Sequence, residues 1–258
     1  MLFQLQSYGK FLFRSTSQHG IHSPFVYNLL AQCFYDKTQK EWYSIYKTYK
    51  NELLKDHSSI EIEDFGAGSK KLSNKKRKVA AIANNAGIST KRAFLLGKFV
   101  NYLKATTILE IGTSLGLATT AISISNPNSK IITLEGCHNT ASVAQQQFKK
   151  FNLTNIQLVK GNFNDTLPKV VADKSFDLIF FDGNHQKEAT LQYFEQCLPH
   201  THNNSVFIFD DIYWSKGMYE AWQQIINNPL VTVSIDTFQW GIVFFRKEQP
   251  KQHFTIRI

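Results

Sequence analysis

Cysteine is scarce. Cys33, Cys137 and Cys197 are the only three in 258 residues and show no CxxC spacing. That argues against a disulfide framework and a cysteine-bound zinc, and makes a reducing cytoplasm the expected compartment. Six prolines and 13 glycines exclude a collagen-like or low-complexity chain. No stretch approaches ~18 uninterrupted apolar residues, so no membrane span is expected. The opening MLFQLQSYGKFLFRSTSQHG lacks the basic start, long apolar centre and small-residue cleavage site of a secretory signal. Aromatic residues, by contrast, are plentiful: 21 Phe, 10 Tyr and 4 Trp in a chain that is 43% hydrophobic supply a packed core and rule out wholesale disorder. The length suits one large α/β domain, or a smaller one with an extension.

Positive charge is in excess by nine, and it is unevenly placed. Residues 1–104 hold 17 Lys/Arg against 7 Asp/Glu, whereas residues 105–258 hold 12 against 13. The densest part is Ser69-KKLSNKKRK-Val79. Such a run repels itself and is expected to be a solvated loop. It could steer an anionic partner such as RNA, a phosphorylated metabolite or an acidic membrane surface, although it has no interleaved aromatics for base stacking.

Two textures divide the chain. Residues 1 to about 60 read as aromatic-rich helices, for example Pro24-FVYNLLAQCFY-Asp36, and Asp64-FGAGSKKLSNKKRK reads as a long loop. A helix over 90–103 follows, with Ser89 as its N-cap. Seven strand candidates then alternate with helices: Thr107-ILEI, Lys130-IITL, Asn155-IQLV, Phe176-DLIFF, Ser205-VFIF, Val231-TVSI and Gly241-IVFF. Helices fit at 115–124, 140–151, 164–172, 187–198 and 216–227. Alternation of this kind predicts a mostly parallel sheet covered on both faces. Only Thr237-FQW separates the last two runs, too few residues for a crossover helix, so that pair must be antiparallel. The division expected is a helical, basic extension over 1–84, able to act as a substrate cap, and an α/β domain over 85–258.

The first strand runs through Leu109-EIGTSLG-Leu117 directly into a helix. Gly112 and Gly116 permit a tight turn and a close approach of ligand to backbone. Thr113 and Ser114 add hydroxyl and amide donors beside the helix N-terminus. Glu135 ends the second strand, 25 residues after Glu110, where a carboxylate can accept both hydroxyls of a ribose. The spacing is not GxGxxG, which disfavours a pyrophosphate loop and suits a nucleoside without a diphosphate.

These residues resemble the class I S-adenosylmethionine-dependent methyltransferases over about 85–258. The resemblance rests on Glu110-IGTSLG-Leu117, on the Leu134-Glu135-Gly136 turn, on Lys160-GNFNDTLP after the third strand and on the closing Gly241-IVFFRK. Phe181-DGNH-Gln186 and Phe209-DDIYW-Ser215 are similar to the small-molecule O-methyltransferase branch, and His19-GIHSPFVY-Asn28 to an extension on bacterial members of it. The resemblance implies a Rossmann-like seven-stranded sheet in the order 3-2-1-4-5-7-6 with strand 7 antiparallel. It also implies S-adenosylmethionine as the donor, held by Glu110, Gly112, Thr113, Ser114, Gly116, Glu135, Gly136, Asn162 and Asp182.

Asp182 ends the fourth strand, and Asp210 and Asp211 end the fifth. Carboxylates at adjacent strand ends can converge, and three together repel one another unless protonated, paired or bound to a cation. Cation-dependent members of the branch carry metal ligands at these places, which implies Mg²⁺ or another divalent ion on Asp182, Asp210 and Asp211; Asp211 departs from the family's Asn. His185 stands where that family often has a catalytic Lys. An imidazole titrating near ~6.5 can take a hydroxyl proton, so His185 and Asp182 are the catalytic candidates. His19 and His22 either line a pocket or flank the cap of a helix started by Ser23 and Pro24. Cys137 is expected to be packed, and Tyr213 and Trp214 to form an aromatic wall or core. The expected acceptor is a small hydroxylated molecule. An RNA methyltransferase and a non-catalytic, cofactor-binding scaffold are the alternatives, and a homodimer through the aromatic-rich arm is open.

Overall fold

The computed structural model describes residues 2–63 and 75–258. Along the chain run α1 (Leu2–Arg14), α2 (Pro24–Leu29) continuing into a π-helical turn (Leu30–Phe34), α3 (Trp42–Lys55), β1 (Ser59–Glu61), β2 (Lys76–Lys78), α4 (Val79–Asn85) and α5 (Thr90–Leu103). Then come β3 (Thr107–Ile111), α6 (Leu117–Ser125), β4 (Lys130–Glu135), α7 (His138–Lys150), β5 (Ile156–Lys160) and α8 (Phe163–Val171). The remainder comprises β6 (Leu178–Phe181), α9 (Lys187–Cys197), β7 (Val206–Asp210), α10 (Lys216–Asn227), β8 (Val233–Asp236), β9 (Trp240–Phe244) and β10 (Gln252–Thr255). Two compact units contain them: residues 36–166, and residues 1–35 with 167–258. Among the described residues, no helix is long and apolar enough to cross a membrane.

In the unit of residues 36–166, β3, β4 and β5 are parallel neighbours in the order β3-β4-β5, with Ile108 opposite Ile131 and Leu134 opposite Val159. β3 is buried from Ile108 to Ile111 and β4 from Ile131 to Leu134, as strands covered on both faces must be. α5 begins where expected: the Ser89 hydroxyl accepts the Arg92 N–H, and Ala93, Leu96, Phe99 and Val100 form its buried stripe. The basic run departs from the loop reading at its end. Lys76–Lys78 pairs antiparallel with Ser59–Glu61, Glu61 opposite Lys76. Backbone bonding and an opposite-charge neighbour there outweigh self-repulsion. The part of the run before residue 75 lies outside the described residues.

In the other unit, β6 and β7 are parallel, β9 is antiparallel to both β7 and β8, and β10 runs parallel to β8. Counted from β3, the expected order holds as 3-2-1 within the first unit and as 4-5-7-6 within the second. The count of seven is corrected to eight by β10. Its Gln-His-Phe-Thr sequence is too polar to read as a strand, yet Phe254 lies opposite Ile235, and the Thr16 N–H donates to the Thr255 carbonyl. The β8–β9 turn is as tight as its length required. The Asp236 carboxylate accepts the Phe238 N–H, and Phe238 takes a left-handed φ of 72°. α10 starts on a Ser215 cap and buries Met218, Ala221, Trp222 and Ile225 on one stripe.

Candidate functional site

The glycine turn between β3 and α6 is tied down from inside. The N–H groups of Gly112 and Thr113 both donate to the Leu134 carbonyl, and the Gly116 N–H donates to the Thr113 carbonyl. The Ser114 N–H donates to one oxygen of Glu135 at 2.6 Å, and the Cys137 N–H to the other at 2.9 Å. Gly112 and Gly116 have φ of 109° and 76°, and Ser114 one of 49°. At Gly116 the reason is packing as well as conformation. A Cβ would collide with the Phe148 ring and lie 2.8 Å from the Tyr49 hydroxyl, which itself donates to the Leu115 carbonyl at 2.8 Å.

Glu135 therefore sits at the end of β4 with each oxygen holding one backbone N–H. The Thr140 hydroxyl and the Gly136 N–H act on the same carboxylate, so it sits in a cluster of donors at the mouth of the turn. Burial pushes its pKa up, and the N–H groups of Cys137 and Ser114 pull against that. This is the chemistry a ribose diol needs, and it fits a nucleoside. The other expected donors point elsewhere. The Thr113 hydroxyl shares a 2.5 Å hydrogen bond with that of Thr133, and the Asn162 amide oxygen accepts the Asn164 N–H at the start of α8. Gly136 is buried beside Glu135.

Glu110 turns inward too. Its side chain is wholly buried, and one oxygen accepts from the hydroxyls of both Thr119 and Thr133 at 2.5 Å. The other oxygen has no partner among the described residues. Burial raises its pKa to about 7, opposed by the two threonine hydroxyls. Glu110 thus braces α6 and β4 beneath the turn.

The chemical candidates belong to the other unit. Asp182 follows β6, and its Oδ1 lies 3.8 Å from Nε2 of His185, too far for a hydrogen bond but close enough for attraction to a protonated ring. The imidazole lies 6.2 Å from the Trp214 ring, centre to centre. Asn184, at a left-handed φ of 50°, donates from its amide to the Tyr193 hydroxyl at 3.3 Å and shapes the turn that presents His185. Tyr213 belongs to an aromatic stack with Phe238 and Tyr219, and its hydroxyl donates to buried Asp236 at 2.6 Å.

The expected triad of metal ligands is not assembled. Among the described residues, no group of three or more His, Cys, Asp or Glu is placed to hold an ion. The last two aspartates differ in backbone and burial. Asp210 is buried as the last residue of β7, and Asp211 swings into a left-handed turn at φ 51° whose carbonyl accepts the Trp214 N–H. A change of backbone direction at Asp211 thus separates two neighbouring aspartates expected to act together.

His19 and His22 are exposed, while Ser23 and Pro24 cap α2 as one reading had it. The supporting residues Thr119, Thr133 and Tyr49 were not singled out from sequence, since each meets the turn only through the fold. Cys137 is packed, with a further role: its sulfur accepts the Glu63 N–H at 3.4 Å, while the Asn139 amide donates to the Glu61 carbonyl at 2.9 Å. β1 is thereby fastened to the start of α7, next to Glu135.

Comparison with known proteins follows this geometry. Residues 109–212 match the family model described as a methyltransferase domain. No curated protein matches the chain. Among solved structures, an SAH-bound methyltransferase from Podospora anserina superposes with a TM-score of 0.62 at 15% identity, covering 88% of this chain and 97% of that one. An O-methyltransferase from Bacillus cereus in complex with SAH gives 0.56 at 18%, covering 85% and 95%. The O-methyltransferase TomG from Streptomyces achromogenes, in complex with SAM and involved in tomaymycin synthesis, gives 0.57 at 16%, covering 81% and 91%. At these identities the superpositions establish a common α/β, Rossmann-like fold. Residues 109–212 thus match a methyltransferase-domain model, on a fold shared with these SAH- and SAM-bound structures.

Proposed function

We propose that this chain transfers the methyl group of S-adenosylmethionine to a hydroxyl oxygen of a small metabolite, with Glu135 gripping the donor's ribose and His185 taking the acceptor's proton. The observation that carries the reading is the Glu135 carboxylate, held at the end of β4 beside the glycine turn by the N–H groups of Ser114 and Cys137. The O-methyltransferases of similar fold, two of them holding SAH or SAM, support the class of acceptor. Residues 85–258 form the transferase domain in this reading, and residues 1–84 its extension.

The donor, when bound, supplies an electrophilic methyl group on a positively charged sulfur. The protein's own task is alignment and deprotonation. Gly112 and Gly116 let the turn fold tightly, while Glu110 braces it from below. His185 Nε2 accepts the hydroxyl proton, and Asp182 at 3.8 Å stabilises the imidazolium that forms.

Incubation with methyl-labelled S-adenosylmethionine and a panel of phenols, catechols and alcohols tests the reading. Transfer to at least one acceptor is expected. His185→Ala should lower kcat by about 10²–10⁴-fold and leave the donor's affinity unchanged. Wild-type turnover by His185→Ala, or no acceptor methylated, contradicts it.

A further inference from the structure

Helix α1 is apolar on two opposite faces, and only one of them is covered. Ser7 and Phe11 are buried, with Tyr8 and Phe11 set against Phe238 at ring separations of 4.8 and 5.5 Å. On the other side Leu2, Leu5, Leu12 and Phe13 stand 71%, 67%, 37% and 95% exposed. Leu2, Leu5, Gly9 and Leu12 follow the 3-4-3 spacing of a coiled-coil seam. A Cβ built on Gly9, midway along that seam, meets nothing within 4 Å.

The geometry points to a second copy of this chain as the occupant: two α1 helices pack antiparallel about a two-fold axis that passes by Gly9. Three features favour it. First, Gly9 lets two backbones approach closely at the crossing, while Leu5 of one copy meets Leu12 and Phe13 of the other. Secondly, the residues flanking the seam, Gln6, Tyr8 and Phe13, carry no charge. The only charged side chains of α1, Lys10 and Arg14, lie off the seam in its second half. Antiparallel pairing separates the two Arg14 and sets the helix dipoles head to tail, whereas parallel pairing would bring like ends together. Thirdly, with about 150–250 Å² for a whole aromatic side chain, the patch amounts to roughly 500–600 Å² per copy. Pairing would then hide roughly 1,000–1,200 Å², about what a specific interface requires. A helix lying on a membrane would instead carry cations along both borders of its apolar face, and the border at Tyr8 has none.

Sedimentation velocity of the full chain from low to high micromolar concentration tests this. A dimer is expected, and Phe13→Asp or Leu5→Asp should raise its dissociation constant at least ~100-fold, since a charge would be buried without a partner, while melting measured at concentrations where the wild type is monomeric stays the same. Mild oxidation of Gly9→Cys should give a disulfide-linked dimer and Lys10→Cys should not; background is low because Cys33, Cys137 and Cys197 are all buried. Mixing Leu5→Cys with Phe13→Cys should give the mixed disulfide. A wild-type chain that stays monomeric throughout, a dimer indifferent to Phe13→Asp, or equal crosslinking at positions 9 and 10 would overturn the proposal. So would a monomer that floats with phosphatidylglycerol–phosphatidylcholine vesicles, which would make the face a lipid anchor.

Discussion

Around the turn between β3 and α6, the polar groups are held by backbone: Leu134 takes two N–H groups, Glu135 takes two more, and Glu110 is locked between two threonine hydroxyls. His185 and Asp182, in the other unit, are more open to solvent. The two side chains are 24% and 22% exposed and 3.8 Å apart. The contrast follows from what each region does. A donor-binding turn must be rigid before the ligand arrives, because ordering it afterwards would cost affinity. A base needs room for the hydroxyl it deprotonates, and apo geometry at such a residue is commonly open.

Stability measurements can break or sharpen this contrast. The largest effect is expected at Gly116→Val. The new side chain would strike Phe148 and Tyr49 at a φ of 76°, and strain plus overpacking should cost about 4 kcal/mol in denaturant unfolding. A smaller effect attaches to Glu110, whose pKa is about 7 when folded against 4.5 ordinarily. The folded chain keeps that proton while the unfolded chain loses it. Its contribution therefore falls as pH rises from about 4.5 to about 7, by about 3 kcal/mol at ~1.4 kcal/mol per pH unit. Glu110→Gln cannot ionise and should flatten that part of the profile. Glu135 and Asp236, also raised, remain in both proteins, so the difference between the two curves isolates Glu110. The smallest change is expected at His185→Ala, under about 1 kcal/mol. A large loss there would show that His185 is part of the fold's support.

The fold was legible where local pattern decides it. The alternation of strand runs placed a helix over 216–227, which α10 fills from a Ser215 cap, and the short gap before the last run required the antiparallel pairing of β8 and β9. β10 was not legible, because Gln252–Thr255 becomes a strand through Ile235 and Thr16, far away in sequence. The site divides in the same way. Glu135 could be placed from its position at a strand end. The inward turn of Glu110 depends on Thr119 and Thr133 being brought to it by the fold. Strand order puts Asp182, Asp210 and Asp211 at neighbouring strand ends, whereas the left-handed backbone at Asp211 is something no spacing reveals.

Titration calorimetry with S-adenosylmethionine, on the wild-type chain and on Glu135→Ala, tests the central assignment most directly. One donor molecule should bind each wild-type chain, and the alanine variant should lose affinity at least ~100-fold, the scale set by two hydrogen bonds to a charged group, while melting as a folded protein. Equal affinity in the two proteins, or no binding by the wild type, would contradict the assignment.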